Sequence, residues 1–109
     1  DNSVSVDVKA MSLGAGSHIL ALNRNAKFKL TLSGNITLVN PAELTAGTTG
    51  SIFIVQDGRG SRTVSYGTSW DFIGGTAPTM TTAASSVDRI DYIVLDSTNI
   101  HAVATLAYS

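Results

Sequence analysis

Alternation with period two runs through this chain and limits what it can become. Val4, Val6 and Val8 are interleaved with Ser3, Ser5, Asp7 and Lys9, and Phe28, Leu30 and Leu32 with Lys27, Lys29, Thr31 and Ser33. Successive side chains of a strand point to opposite faces, so each run predicts a half-buried strand with one apolar and one wet side. Ile90, Tyr92 and Val94 likewise oppose Asp91, Ile93 and Leu95. The unbroken run Ile52-Phe53-Ile54-Val55 reads instead as a central strand buried on both faces. Further strands are expected at residues 18–23, 36–39, 62–66 and 100–108.

Turn chemistry punctuates these runs. Residues 12–17, with Gly14 and Gly16, read as a turn, and Gly34-Asn35 as a tight one. Asn40-Pro41 ends a strand, because proline cannot donate to a ladder and restricts the residue before it. Residues 41–44 leave room for one helical turn. Asp57-Gly58-Arg59-Gly60 has hairpin chemistry, its glycines supplying positive φ, so residues 62–66 are expected to return as the partner of 51–56. Large apolar area is concentrated in Trp70, Phe72 and Ile73. Gly74-Gly75 opens an extended loop to residue 86 that wraps the core, and Asp96-Ser97-Thr98-Asn99 joins the last two strands.

Short strands at intervals of roughly ten residues with polar turns predict an all-β domain. The expected architecture is a single-domain antiparallel sandwich or jelly-roll-like barrel over residues 1–109, with little or no helix. No internal repeat stands out. The N-terminal strand, at about residues 1–10, is an exposed edge unless something pairs with it, and a neighbouring subunit is the expected partner.

Composition narrows the function. Charged residues are only 14% of the chain, against about 25% in a typical soluble domain. Ser and Thr fill the gap, which suggests that neighbouring subunits cover part of the surface. Seven basic residues scattered among eight acids, for a net charge of −1, supply no basic stripe for nucleic acid. No apolar run approaches the ~20 residues that span a bilayer. The chain has no cysteine, which removes disulfides and thiolate zinc sites.

Catalytic chemistry finds no foothold in the residue pattern. The only histidines, His18 and His101, fall inside strand patterns, and neither a nucleophile elbow nor a phosphate-cradling loop before a helix is present. Asp88 and Asp91 lie three apart on one strand and so face opposite ways. Asp57, Asp71 and Asp96 each fall in or beside a turn, where a side chain bonding its own backbone is the ordinary role. Only a cluster of Asp57, Asp71 and Asp88 brought together by the fold would support a hydrolase. No cofactor and no metal site is expected. Tyr66 and Trp70 are the pair that could stack on a sugar ring, and packing of Trp70 in the core or in a subunit contact is the competing expectation.

The stretch GNITLVNPAELTAGTTGSIFIVQDGRGSRTVSYGTSWDFIGGTAPTMTTAASSVDRIDYIVLD, from Gly34 to Asp96, resembles a β-rich module of bacteriophage and prophage virion proteins, including head-decorating, spike-like and tail-fibre-like proteins. The matching pieces are Asn40-Pro41, the segment from Gly47 to Val64, Trp70 with Phe72, Gly74 to Thr79, Ser86-Val87-Asp88 and the final hairpin. The resemblance implies a virion surface location, commonly as a homotrimer, and carries no catalytic residues with it. Such modules usually close the last hairpin with an aspartate-glycine turn and a tryptophan; Asp96-Ser97-Thr98-Asn99 and Ile100-His101 stand here instead.

The expectation that emerges is a non-enzymatic virion structural protein, a capsid-decorating or spike/fibre subunit. Its expected partners are sister copies in a homotrimer and other virion proteins such as the major capsid protein. The alternative is a receptor-binding tip that takes a host-surface glycan on Tyr66 and Trp70. Gly34, Asn35, Asp57, Gly58, Gly60, Gly74 and Gly75 are assigned to structural turns.

Overall fold

The computed structural model describes residues 8–23 and 27–108, so most of the expected N-terminal strand lies outside the described residues. Nine strands occur among them: β1 (Lys9–Leu13), β2 (Gly16–His18), β3 (Lys27–Leu32), β4 (Ile36–Leu38), β5 (Thr49–Gln56), β6 (Val64–Tyr66), β7 (Trp70–Phe72), β8 (Val87–Asp96) and β9 (Asn99–Thr105). The only helical element described is a 3₁₀ turn, Ile73–Gly75. The chain is all-β, as its alternation predicts.

The strands alternate between two layers. A six-stranded sheet has the order β1-β3-β5-β8-β9-β7, and a three-stranded sheet has the order β2-β4-β6. From β1 to β6 each pass of the chain lays one strand in the large sheet, turns a corner, and lays the next in the small one. Successive passes stack in parallel: Lys9 lies beside Phe28 and Phe28 beside Ile52, while Ile36 lies between Gly16 and Val64. Parallel neighbours need a crossover connection, usually a helix; here the crossover is a strand of the opposite sheet. Only β5–β8 and β8–β9 pair antiparallel.

The two layers bury the residues that alternation marks. Phe28, Leu30 and Leu32 of β3, Ile52 and Ile54 of β5, and Ile90 and Val94 of β8 are enclosed against Ile36 and Leu38 of β4. Fully burying side chains of this size contributes about 1.5–3 kcal/mol each. Phe53 and Val55 are half-buried, so β5 is sealed on one face and only partly covered on the other.

Four local expectations are corrected. Residues 62–66 do not return beside β5, because β3 and β8 already occupy both of its edges; β6 pairs with β4 instead. The Gln56 side chain makes the separation permanent. It accepts from the Arg62 N–H (3.0 Å) and donates to the Arg62 carbonyl (2.8 Å) and the Thr81 carbonyl (3.0 Å), satisfying groups a hairpin ladder would have used. Gly34-Asn35 is likewise a corner between layers: a Cβ on Gly34 would stand 2.5 Å from the Ala15 backbone nitrogen of the adjacent pass. Residues 12–17 and 18–23 divide differently from the expected turn and strand, with β1 reaching Leu13 and β2 ending at His18, since stacking on β3 and β4 sets their extent. Residues 41–44 form no helical turn.

The long loop behaves as expected. Residues 76–86 wrap the core, burying Met80, and are held by bonds such as Ser61 N–H to Thr82 O (2.7 Å) and Ser85 N–H to Asp57 O (3.0 Å).

Candidate functional site

Trp70 enters the core. It is 5% exposed, its indole N–H donates to the Val39 carbonyl (3.3 Å), and its ring meets Tyr92 edge-on at 6.4 Å. Tyr66 lies 6.4 Å from Trp70 and makes an edge-to-face contact with Phe72 at 4.7 Å. The structure thus does bring Tyr66 and Trp70 together, but the Trp70 face is spent on packing. Tyr66 and Phe72 are the half-buried rings that border solvent.

These aromatics wall a cleft of about 380 Å³ where the two sheets end, β6 being the last strand of one and β7 of the other. Backbone parity shows which groups face it. The Thr63 carbonyl accepts from Ile36 and the Gly67 N–H donates to Leu38, so residues 63, 65 and 67 point at β4 and residues 64 and 66 point away. The Ser69 carbonyl accepts from Ile100, so Ser69 and Asp71 point at β9 and Phe72 points away. The N–H and C=O of Val64, Tyr66 and Phe72 therefore have no ladder partner among the described residues.

A second groove, of about 500 Å³, lies on the outer face of β7, β8 and β9. Ile93 and Val103 line it with Ile73, which is 77% exposed, and Leu95 continues the row along β8. His101 sits within it, beside Ile93 on one neighbouring strand and Asp71 on the other. Asp91 accepts from the Ser51 hydroxyl (2.6 Å) and from Arg89 Nε (2.9 Å).

Three further acids, Asp57, Asp88 and Asp96, hold backbone. Asp57 accepts from the Arg59 and Gly60 N–H groups (3.1 Å each) and pairs with Arg62 (3.0 Å); the Arg62 hydrogen bond leads in holding its carboxyl below the ordinary range. Asp96 is held low chiefly by the Thr98 N–H, then by Asn99. Asp88 is 1% exposed and accepts from the Thr81 N–H (2.6 Å) and the Ala107 N–H (2.8 Å), tying the long loop and the C-terminal segment to β8. Asp57, Asp71 and Asp88 thus serve different elements, and no three His, Cys, Asp or Glu converge on a metal-sized site among the described residues. His18 Nε2 lies 2.8 Å from the Gly14 carbonyl, a local bond.

Sequence reasoning did not single out Gln56 or Asp88 as structural keys. Their signal was present: each is a polar residue on the inward parity of an apolar strand face, which demands buried hydrogen-bond partners. The assigned turn residues occupy corners. Asn35 accepts the Thr63 N–H (3.0 Å), and Gly60, Gly74 and Gly75 have φ of 69°, 76° and 74°. Burial also leaves the Tyr66 and Tyr92 hydroxyls without hydrogen-bond partners and raises both phenols, Tyr92 to about 12. No protein family, curated protein or solved structure matches this chain.

Proposed function

We propose that this chain is a non-enzymatic structural module of a bacteriophage virion, a capsid-decorating or spike/fibre subunit that works by joining β surfaces between copies and to other virion proteins. The observation that carries this is the uncovered apolar row on the outer face of the large sheet. Ile73, Ile93, Leu95 and Val103 are between 45% and 77% exposed there. Contiguous exposed apolar surface rimmed by polar groups marks interaction surfaces. A chain with 14% charged residues has few charges to keep such a surface apart from its neighbours. The resemblance of residues 34–96 to virion modules supports the same reading. The glycan-binding alternative has less to rest on, since a sugar would have to stack on Tyr66 and Phe72 while Trp70 stays enclosed.

The test is sedimentation of the purified chain together with mass spectrometry of purified particles. A trimer at micromolar concentration and recovery in the particle are expected. A stable monomer absent from particles overturns the proposal.

A further inference from the structure

We propose that the lysine-bearing end of the large sheet's outer face, on β3, seats in the β7–β9 groove of a second copy of this chain. This rests on the structural reading above and names the surface through which copies join.

Strand parity builds the face. Phe28, Ile52, Trp70, Ile90 and Ile100 are buried, so the residues next to each along its strand point outward. Register sets these outward residues in rows across the sheet. One row runs Lys27, Ser51, Asp91 and Val103, and the next runs Thr49, Ile93, His101 and Asp71. Lys29 stands on the other side of the first row, beside Phe53. Two lysines therefore mark the β3 end of the face and Asp71 closes the β7 end, with Ile93 and Val103 between them.

These end charges cannot satisfy each other within one chain. Among the described residues the ion pairs are Arg62–Asp57 and Arg89–Asp91, which leaves Lys27, Lys29 and Asp71 without a charged partner there. Strand order sets β3 four spacings from β7, about 19 Å at ~4.8 Å per spacing. A second copy removes that separation. Lysine lays its aliphatic stem along apolar surface and keeps its ammonium at the polar rim. Seated in the groove, the stems of Lys27 and Lys29 cover Ile93 and Val103, which are 49% and 45% exposed in the single chain. Their ammonium groups then meet Asp71 at the groove's edge.

The test reverses charge at each end and then at both, with the oligomer read by sedimentation at micromolar concentration. Lys27→Glu with Lys29→Glu should raise the dissociation constant at least about tenfold, and so should Asp71→Lys, because like charges then face each other. The chain carrying all three changes should associate as the unchanged chain does. Lys29 and Asp71 are exposed and Lys27 is half-buried, so each variant should keep the native circular dichroism. Salt gives a second reading that needs no variant: the dissociation constant of the unchanged chain should rise as salt is added. An oligomer indifferent to salt and to every reversal overturns this contact and leaves the virion reading standing. A folded triple variant that stays dissociated overturns it as well. A monomeric unchanged chain overturns both.

Discussion

The stacked passes from β1 to β6 and the β8–β9 hairpin use the same turn chemistry and reach opposite outcomes. Asp57 and Asp96 each open a polar turn and each accept the N–H two residues ahead, from Arg59 and Thr98. After Asp96 the chain returns on its own neighbour, with Ile93 beside His101 and Val94 beside Ile100. After Asp57 it leaves for the other sheet. The difference lies outside the turns. β8 arrived at β5 with an antiparallel register from Thr49–Ile93 to Val55–Val87, and Gln56 took the Arg62 backbone for itself. A turn sequence proposes a reversal; the free edge of its strand decides whether that reversal becomes a hairpin.

The largest expected effect comes where the long loop and the C-terminal segment are tied to the hairpin region. Asp88→Ala strips the acceptors from two backbone N–H groups in a site that is 1% exposed. It should cost about 2–5 kcal/mol, read as a lower denaturant midpoint, since each unsatisfied buried group costs about 1–3 kcal/mol. A loss below half a kcal/mol would show that the long loop and C-terminal segment are not held to β8 through this carboxylate.

Alkaline pH should separate the regions next. Tyr92 of β8 is raised to about 12 by burial, and Tyr66 of β6 is raised further by burial and then by Asp88. The neutral phenol is favoured in the fold, so stability is intact below about pH 10 and falls as pH rises toward 12. A shift of that size in Tyr92 is worth about 2–3 kcal/mol. Tyrosinate absorbance should rise together with loss of near-ultraviolet circular dichroism. Full ionisation of Tyr66 and Tyr92 with the fold intact would contradict the burial.

The finest test is a matched pair of insertions. Two glycines between Ser97 and Thr98 lengthen an exposed hairpin loop and should cost under about 1 kcal/mol, since loop closure grows slowly with length. Two glycines between Gly58 and Arg59 pull Arg62 from Gln56 and should cost about 1–3 kcal/mol through lost buried hydrogen bonds. Equal losses in thermal melts would erase the distinction between the two turns.

Much of the buried set was legible residue by residue. Alternation marks Phe28, Leu30 and Leu32, and again Ile90, Tyr92 and Val94, as inward, and all are enclosed. The last hairpin was legible because its partners are adjacent in the chain. The cleft was not legible: Tyr66 and Phe72 meet there only because β6 and β7 end different sheets. Trp70 could be counted as a platform or as core, and only its bond to Val39 and its contact with Tyr92 place it inside.

By itself, then, the order of amino acids determined where most of the strands lie, which side of each is greasy, and where the backbone bends. Those are short-range properties, set by side-chain alternation and the φ preferences of glycine, proline and aspartate. Which strand lies beside which was decided only when the whole chain closed. A strand edge offers the same N–H and C=O groups to any partner, so long-range competition for edges sent β6 to β4 and left the β6–β7 end open.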